Sequence, residues 1–187
     1  SAYVFTRDVA GSAASAWTQR AKLVPADGAA YDRFGSSVSI SGDTIVISAP
    51  YNDVPTADAG SAYVFIRNGT SWTQQAKLVA GLSKGSDYFG NSVSISGDTI
   101  VVGVMNDDNR TLTDAGAVYV FTRDDPGAWT QMEKLVADDG AGGDKFGWSV
   151  SVSGDTIVVG AYQDDDKGAD SGSAYVYTRD VPGSAAS

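Results

Sequence analysis

The sequence predicts an all-β fold, a β-propeller built of four-stranded antiparallel blades with about three blades per chain. Three observations predict it. Four near-copies of one segment run down the 187 residues, opening at Ser1 (SAYVFTR), Ser61 (SAYVFIR), Ala117 (AVYVFTR) and Ser173 (SAYVYTR); a period of this size belongs to solenoids, propellers and arrays. Helix signals are nearly absent, and apolar runs of strand length are separated by Gly, Asp, Asn and Ser clusters. Of 23 acidic residues only Glu133 is a glutamate; the rest are aspartates, poor in helices and suited to turns.

Each repeat reads as four strands. The first follows a Phe-Gly pair and alternates serine with an apolar residue, over 37–41, 92–96 and 149–153. A Ser-Gly-Asp hairpin turn joins it to the second. That second strand, 44–47, 99–102 and 156–159, is apolar on both faces, as expected of a strand sandwiched between stacked sheets. The third is the SAYVFTR segment, with Tyr and Phe alternating against Ala and Val. The fourth is Trp72–Val79, with equivalents opening at Trp17 and Trp129. Four antiparallel strands make one propeller blade.

Composition narrows the function. There is no cysteine and no histidine, which removes disulfides, thiolate metal sites, the usual general base and the familiar catalytic triads. A net charge of −10 argues against nucleic acid and anionic membrane surfaces, and no apolar run reaches membrane-spanning length. The chain reads as non-enzymatic. It opens inside a repeat and without Met, so it reads as a mature fragment or a piece of a longer array.

The pairs Phe34-Gly35, Phe89-Gly90 and Phe146-Gly147, followed in register by the Gly-Asp turn and the strings Ile47-Ser48-Ala49-Pro50, Val102-Gly103-Val104 and Val159-Gly160-Ala161, resemble FG-GAP repeats. The resemblance covers nearly the whole chain. It implies integrin-α-type propeller blades and, through a bacterial branch of that family, a secreted or cell-surface protein serving adhesion or protein binding. One departure stands out. The family's calcium motif, Asp-x-Asp-x-Asp-Gly, sits between strands one and two, where this chain has only Ser-Gly-Asp-Thr.

The array is out of phase with its blades. One propeller segment spans 1–187, in repeats 1–60, 61–116 and 117–172 with a partial fourth at 173–187. Its strands run third, fourth, two full sets, then first, second, third. Residues 1–15 and 173–187 differ only at Phe5/Tyr177 and Ala10/Pro182. Three blades are too few to close a ring, and an isolated arc exposes two apolar faces. The expectation is a homodimer forming a six-bladed ring, or a strand-exchanged array.

Candidate sites lie where the copies differ. Trp148 follows Phe-Gly where the other copies have Ser36 and Asn91; it could stack on a sugar or a partner, or pack against the next blade. Arg110 and Leu112 have no counterparts in the other loops, and could form an interface tip or be loop variation. The loop between strands two and three is acidic in each repeat: Asp53 and Asp58; Asp107, Asp108 and Asp114; Asp164, Asp165, Asp166 and Asp170. Such carboxylates can ligate Ca²⁺ or cap loop amides in solvated turns. Asp32, Asp87 and Asp144, with Asp43, Asp98 and Asp155, recur in every copy and read as acceptors for turn and loop amides. The ligand is a protein or a glycan. The rival readings to an adhesion module are a lectin propeller and a structural, fibre-forming array.

Overall fold

A computed structural model describes residues 1–7, 16–81, 85–109, 112–124 and 127–179. Among these residues, thirteen strands form four antiparallel sheets. β1 (Ala2–Arg7) pairs with β2 (Trp17–Leu23). β3 (Val38–Ser41), β4 (Thr44–Ala49), β5 (Ser61–Asn68) and β6 (Ser71–Leu78) form the first complete blade. β7 (Ser92–Ser96), β8 (Thr99–Val104), β9 (Ala117–Arg123) and β10 (Trp129–Leu135) form the second. β11 (Phe146–Ser153), β12 (Thr156–Ala161) and β13 (Ser173–Thr178) form a three-stranded third. The out-of-phase order read from the repeats is therefore observed, and the arc does not close. β11 opens earlier than its repeat predicts, at Phe146, across an irregularity before Ser149.

The sheets stack face to face. β7 lies against both β3 and β11, so the serine-rich strands are innermost. Three apolar layers fill the gaps. Val4 and Leu23 pack on Ile45, Ile47 and Phe65. Val46 and Val64 pack on Val93, Ile95 and Val102. Val101 and Val120 pack on Val152 and Val159. β4 and β8 are buried along their whole length, as expected of sandwiched strands. β12, in the last blade, is not, because no further sheet among the described residues covers it.

The Phe-Gly pair earns its place twice. Each Phe ring meets the third strand of its own blade edge-on: Phe89 lies 5.8 Å from Tyr119 and 6.0 Å from Phe121, and Phe34 and Phe146 repeat the arrangement. Its backbone also crosses the preceding blade, where Phe89 N donates to Ala59 O and Phe146 N to Ala115 O, both at 2.9 Å. The crossing requires Gly60 and Gly116: a side chain there would run into the backbone of Phe89 or Phe146, and both glycines have φ near +85°.

Serine hydroxyls lock the inner strands together. Val93 N donates to Ser37 Oγ at 3.1 Å, Ile95 N to Ser39 Oγ at 3.2 Å and Gly97 N to Ser41 Oγ at 3.0 Å. Val152 N and Gly154 N do the same to Ser94 and Ser96, both at 3.1 Å. Amides left without a ladder partner are thereby satisfied, which gives the alternating serines their purpose.

Candidate binding surface

The strand directions put two sets of loops at one end of the arc: those leading into each inner strand, and the acidic loops between strands two and three. Main-chain bonds lace them together, with Ser86 N donating to Ala57 O at 3.0 Å and Gly143 N to Thr113 O at 3.0 Å. Trp148 sits at this end, inside β11. It is 46% exposed and stacks on Tyr162, also 46% exposed, with ring centroids 4.4 Å apart. Its carbonyl accepts from Asn91 Nδ2 of the preceding blade at 2.9 Å, so the backbone is anchored while the rings face solvent. Leu112 shares this end, half-buried, its N–H donating to Asn109 O at 2.9 Å. Arg110 lies outside the described residues.

Sequence reading missed Tyr162 and a second aromatic group. The Arg33 guanidinium stacks 3.8 Å from the centre of the Tyr51 ring, which lies 4.9 Å from that of Tyr88. The signal was present: Pro50, Met105 and Tyr162 differ at one repeat position, as do Arg33, Tyr88 and Lys145 at another. The latter three all have positive φ, between 55° and 59°, a conformation that side chains rarely adopt.

The acidic loops have one architecture. Asp53 Oδ1 accepts from Asp58 N at 3.0 Å, Asp108 Oδ1 from Asp114 N at 3.2 Å, and Asp165 Oδ1 from Asp170 N at 2.7 Å. The closing residues Asp58, Asp114 and Asp170 are left-handed, a region aspartate tolerates. Asp164 accepts from Asp166 N, and Asp114 pairs with Lys145 at 2.9 Å. Among the described residues no group of three or more carboxylates is arranged to hold a metal ion. Asp53, Asp108 and Asp165 thus close their own loops through backbone amides.

Asn52, Asp107 and Asp164 occupy one repeat position and are buried. Asp107 accepts from Tyr119 Oη at 2.9 Å and from Lys134 Nζ at 2.6 Å. Asp164 accepts from Tyr175 Oη at 2.7 Å, and that bond holds its carboxyl below the ordinary carboxylate value. Asp144 is shifted upward, by burial first and then by the nearby charges of Asp164, Asp165 and Asp139. Asp32 and Asp144 accept from the amides of Ala29 and Ala141, as expected. Asp43, Asp98 and Asp155 instead pair with Arg67, Arg123 and Arg179 at the ends of the third strands. The turn reading for these three therefore gives way to an ion pair, whose arginine lies 24 or 25 residues away.

Stacked four-stranded blades, a serine-locked inner rank and a Phe-Gly crossing at each junction define a propeller-type repeat protein. A profile of the FG-GAP repeat matches residues 17–65, 72–121 and 129–177, and the chain belongs to that family. Among curated proteins no relative matches.

Proposed function

We propose that the chain is a non-enzymatic binding or adhesion module of a secreted or cell-surface bacterial protein, and that its ligand docks on the loop end beside Trp148. The observation that carries this reading is the exposed Trp148–Tyr162 pair on an otherwise repeated scaffold. Residues common to all copies maintain blades, so a ligand is selected by residues that differ. With no histidine, no cysteine and one glutamate, and with the buried carboxylates engaged by Tyr, Lys and backbone donors, the chemistry is recognition.

A glycan is the second reading, favoured by the same pair. Two tilted rings, each half exposed, offer apolar faces on which a sugar ring can stack. Tryptophan fluorescence titrated with soluble oligosaccharides tests it, with Trp148→Ala as the control. A spectral shift absent from the variant supports the glycan. If there is no shift, but the chain is retained on an immobilised protein in a Trp148-dependent way, the ligand is a protein. Binding of either kind that survives Trp148→Ala with Tyr162→Ala overturns the placement of the site.

A further inference from the structure

We infer that a second copy of this chain completes the open third blade: β1 and β2 of that copy become its third and fourth strands beside β11 and β12, β13 is displaced, and two copies close a ring of six blades. This goes beyond the binding-module reading and does not depend on it.

The junction between blades is seen twice within the chain, and at the ends its two halves stand apart. At one end β1 and β2 already lie on the first blade as the outer half of a blade, with Val4 filling the role that Val64 fills one junction later. The inner half of that blade is absent among the described residues. Its place is a cleft of about 480 Å³ between β1 and β3, bordered by Tyr3, Phe5, Val38 and Ile40, each 49–59% exposed. The same repeat positions elsewhere, Tyr63 and Phe65, are 0% and 3% exposed. At the other end β11 and β12 are an inner half with no sheet stacked beyond them among the described residues, and Val158, the counterpart of the fully buried Val46 and Val101, is 41% exposed.

The polar groups match in register. Ser149, Ser151 and Ser153 are exposed, while the amides of Val38, Ile40 and Gly42 have no preceding serine strand among the described residues. The internal ladder joins just these positions: Ser37, Ser39 and Ser41 to Val93, Ile95 and Gly97. Arg123 and Arg179 each reach back to a threonine of the preceding blade, Thr44 at 3.4 Å and Thr99 at 3.0 Å. By the same step Arg67 of a second copy meets Thr156. Lys134 lies over the Tyr119 ring and binds Asp107. Lys22 lies over Tyr3 in the same way, 5.9 Å from the ring centre, and the composite blade brings it to Asp164.

The surplus strand explains how the exchange proceeds. β1 and β13 are alike in sequence except at Phe5 and Tyr177. Among the described residues β13 pairs along one edge, with β12, whereas β1 keeps β2 and gains β12. Tyr3 and Phe5 of the second copy then take the places of Tyr175 and Tyr177 around Phe146. The exchange forfeits the bond from Tyr177 Oη to Val136 O and gains the serine ladder, the lysine and the apolar cover of the cleft.

Light scattering of the whole 187-residue chain at micromolar concentration is expected to give twice its 19.3 kDa mass; a monomer, or a species heavier than a dimer, overturns the ring. Ser151→Ala with Ser153→Ala alters exposed side chains and leaves the monomer folded. It is expected to weaken association at least tenfold, and an unchanged dissociation constant overturns the interface. Lys22→Asp and Asp164→Lys, each alone, are expected to dissociate the dimer, and mixing the two to restore it. Association that neither variant weakens places the contact elsewhere. Loss of residues 173–187 is expected to leave a folded dimer, whereas an unfolded product overturns the displacement of β13.

Discussion

Tyr119 donates to Asp107 across 2.9 Å, yet Tyr63, its counterpart one blade earlier, is fully buried with no partner for its hydroxyl among the described residues. The cause is one substitution between copies. Asn52 stands where Asp107 and Asp164 stand, and its amide oxygen is taken by Ser61 Oγ at 2.9 Å while its nitrogen binds Asp32. Burial pushes the Tyr63 hydroxyl far above its ordinary value.

The two tyrosines should therefore respond oppositely to loss of the hydroxyl. Tyr63→Phe removes an unsatisfied buried group and is expected to be neutral or to stabilise by about 1 kcal/mol. Tyr119→Phe removes a bond to a carboxylate and is expected to cost about 1.5–3 kcal/mol. Urea unfolding of both variants checks the pair, and equal destabilisation would contradict the assignment.

Asp144→Asn is expected to stabilise the protein at neutral pH. The raised folded-state value means that ionised Asp144 opposes folding, because burial and three neighbouring carboxylates disfavour its charge. Asparagine keeps an oxygen for the Ala141 amide. The gain is full above the folded-state value, shrinks as pH falls through it, and is gone below the ordinary value of 3.8. Melting midpoints of variant and parent across that range test the sign.

Phe146→Ala and Trp148→Ala, two residues apart, should separate scaffold from surface. Phe146 is 1% exposed and wedged against Tyr175 and Tyr177, so its truncation is expected to cost roughly 3–5 kcal/mol. Trp148→Ala removes a half-exposed ring and is expected to leave the melting midpoint within a few degrees. Should the two prove equally destabilising, Trp148 belongs to the packing and not to a binding surface.

Calcium added to chelator-treated protein is expected to leave the melting midpoint unchanged, because Asp53, Asp108 and Asp165 already close their own loops. Scanning calorimetry with and without the ion checks this. A rise that disappears in Asp164→Ala with Asp170→Ala would instead establish the acidic loops as ligands, by mass action on the folded state.

The strands and their phase were legible because alternation and turn residues recur in register, so each copy corroborates the next. Blade positions of Trp17, Trp72 and Trp129 followed for the same reason. Partnerships made across the blade were not legible. The pairing of Asp98 with Arg123, or of Trp148 with Tyr162, depends on which side chains the sheet brings together, and nothing local in either segment specifies it. The acidic loops illustrate a different limit. A carboxylate that caps an amide and one that binds a cation use the same residue in the same kind of glycine-bounded loop, so residue type and spacing alone do not tell them apart.

The hydroxyl ladder between inner strands has a direction. Ser37, Ser39, Ser41, Ser94 and Ser96 accept from amides of the following strand, while Ser92 Oγ donates to Gly147 O at 2.9 Å, so each blade presents its hydroxyls on one side and its backbone groups on the other. Two blades cannot satisfy each other back to back. A whole repeat can be added to or removed from the series with both junctions still matched, since the new neighbour presents the same two sides. The order in which blades follow one another is thus fixed by the ladder.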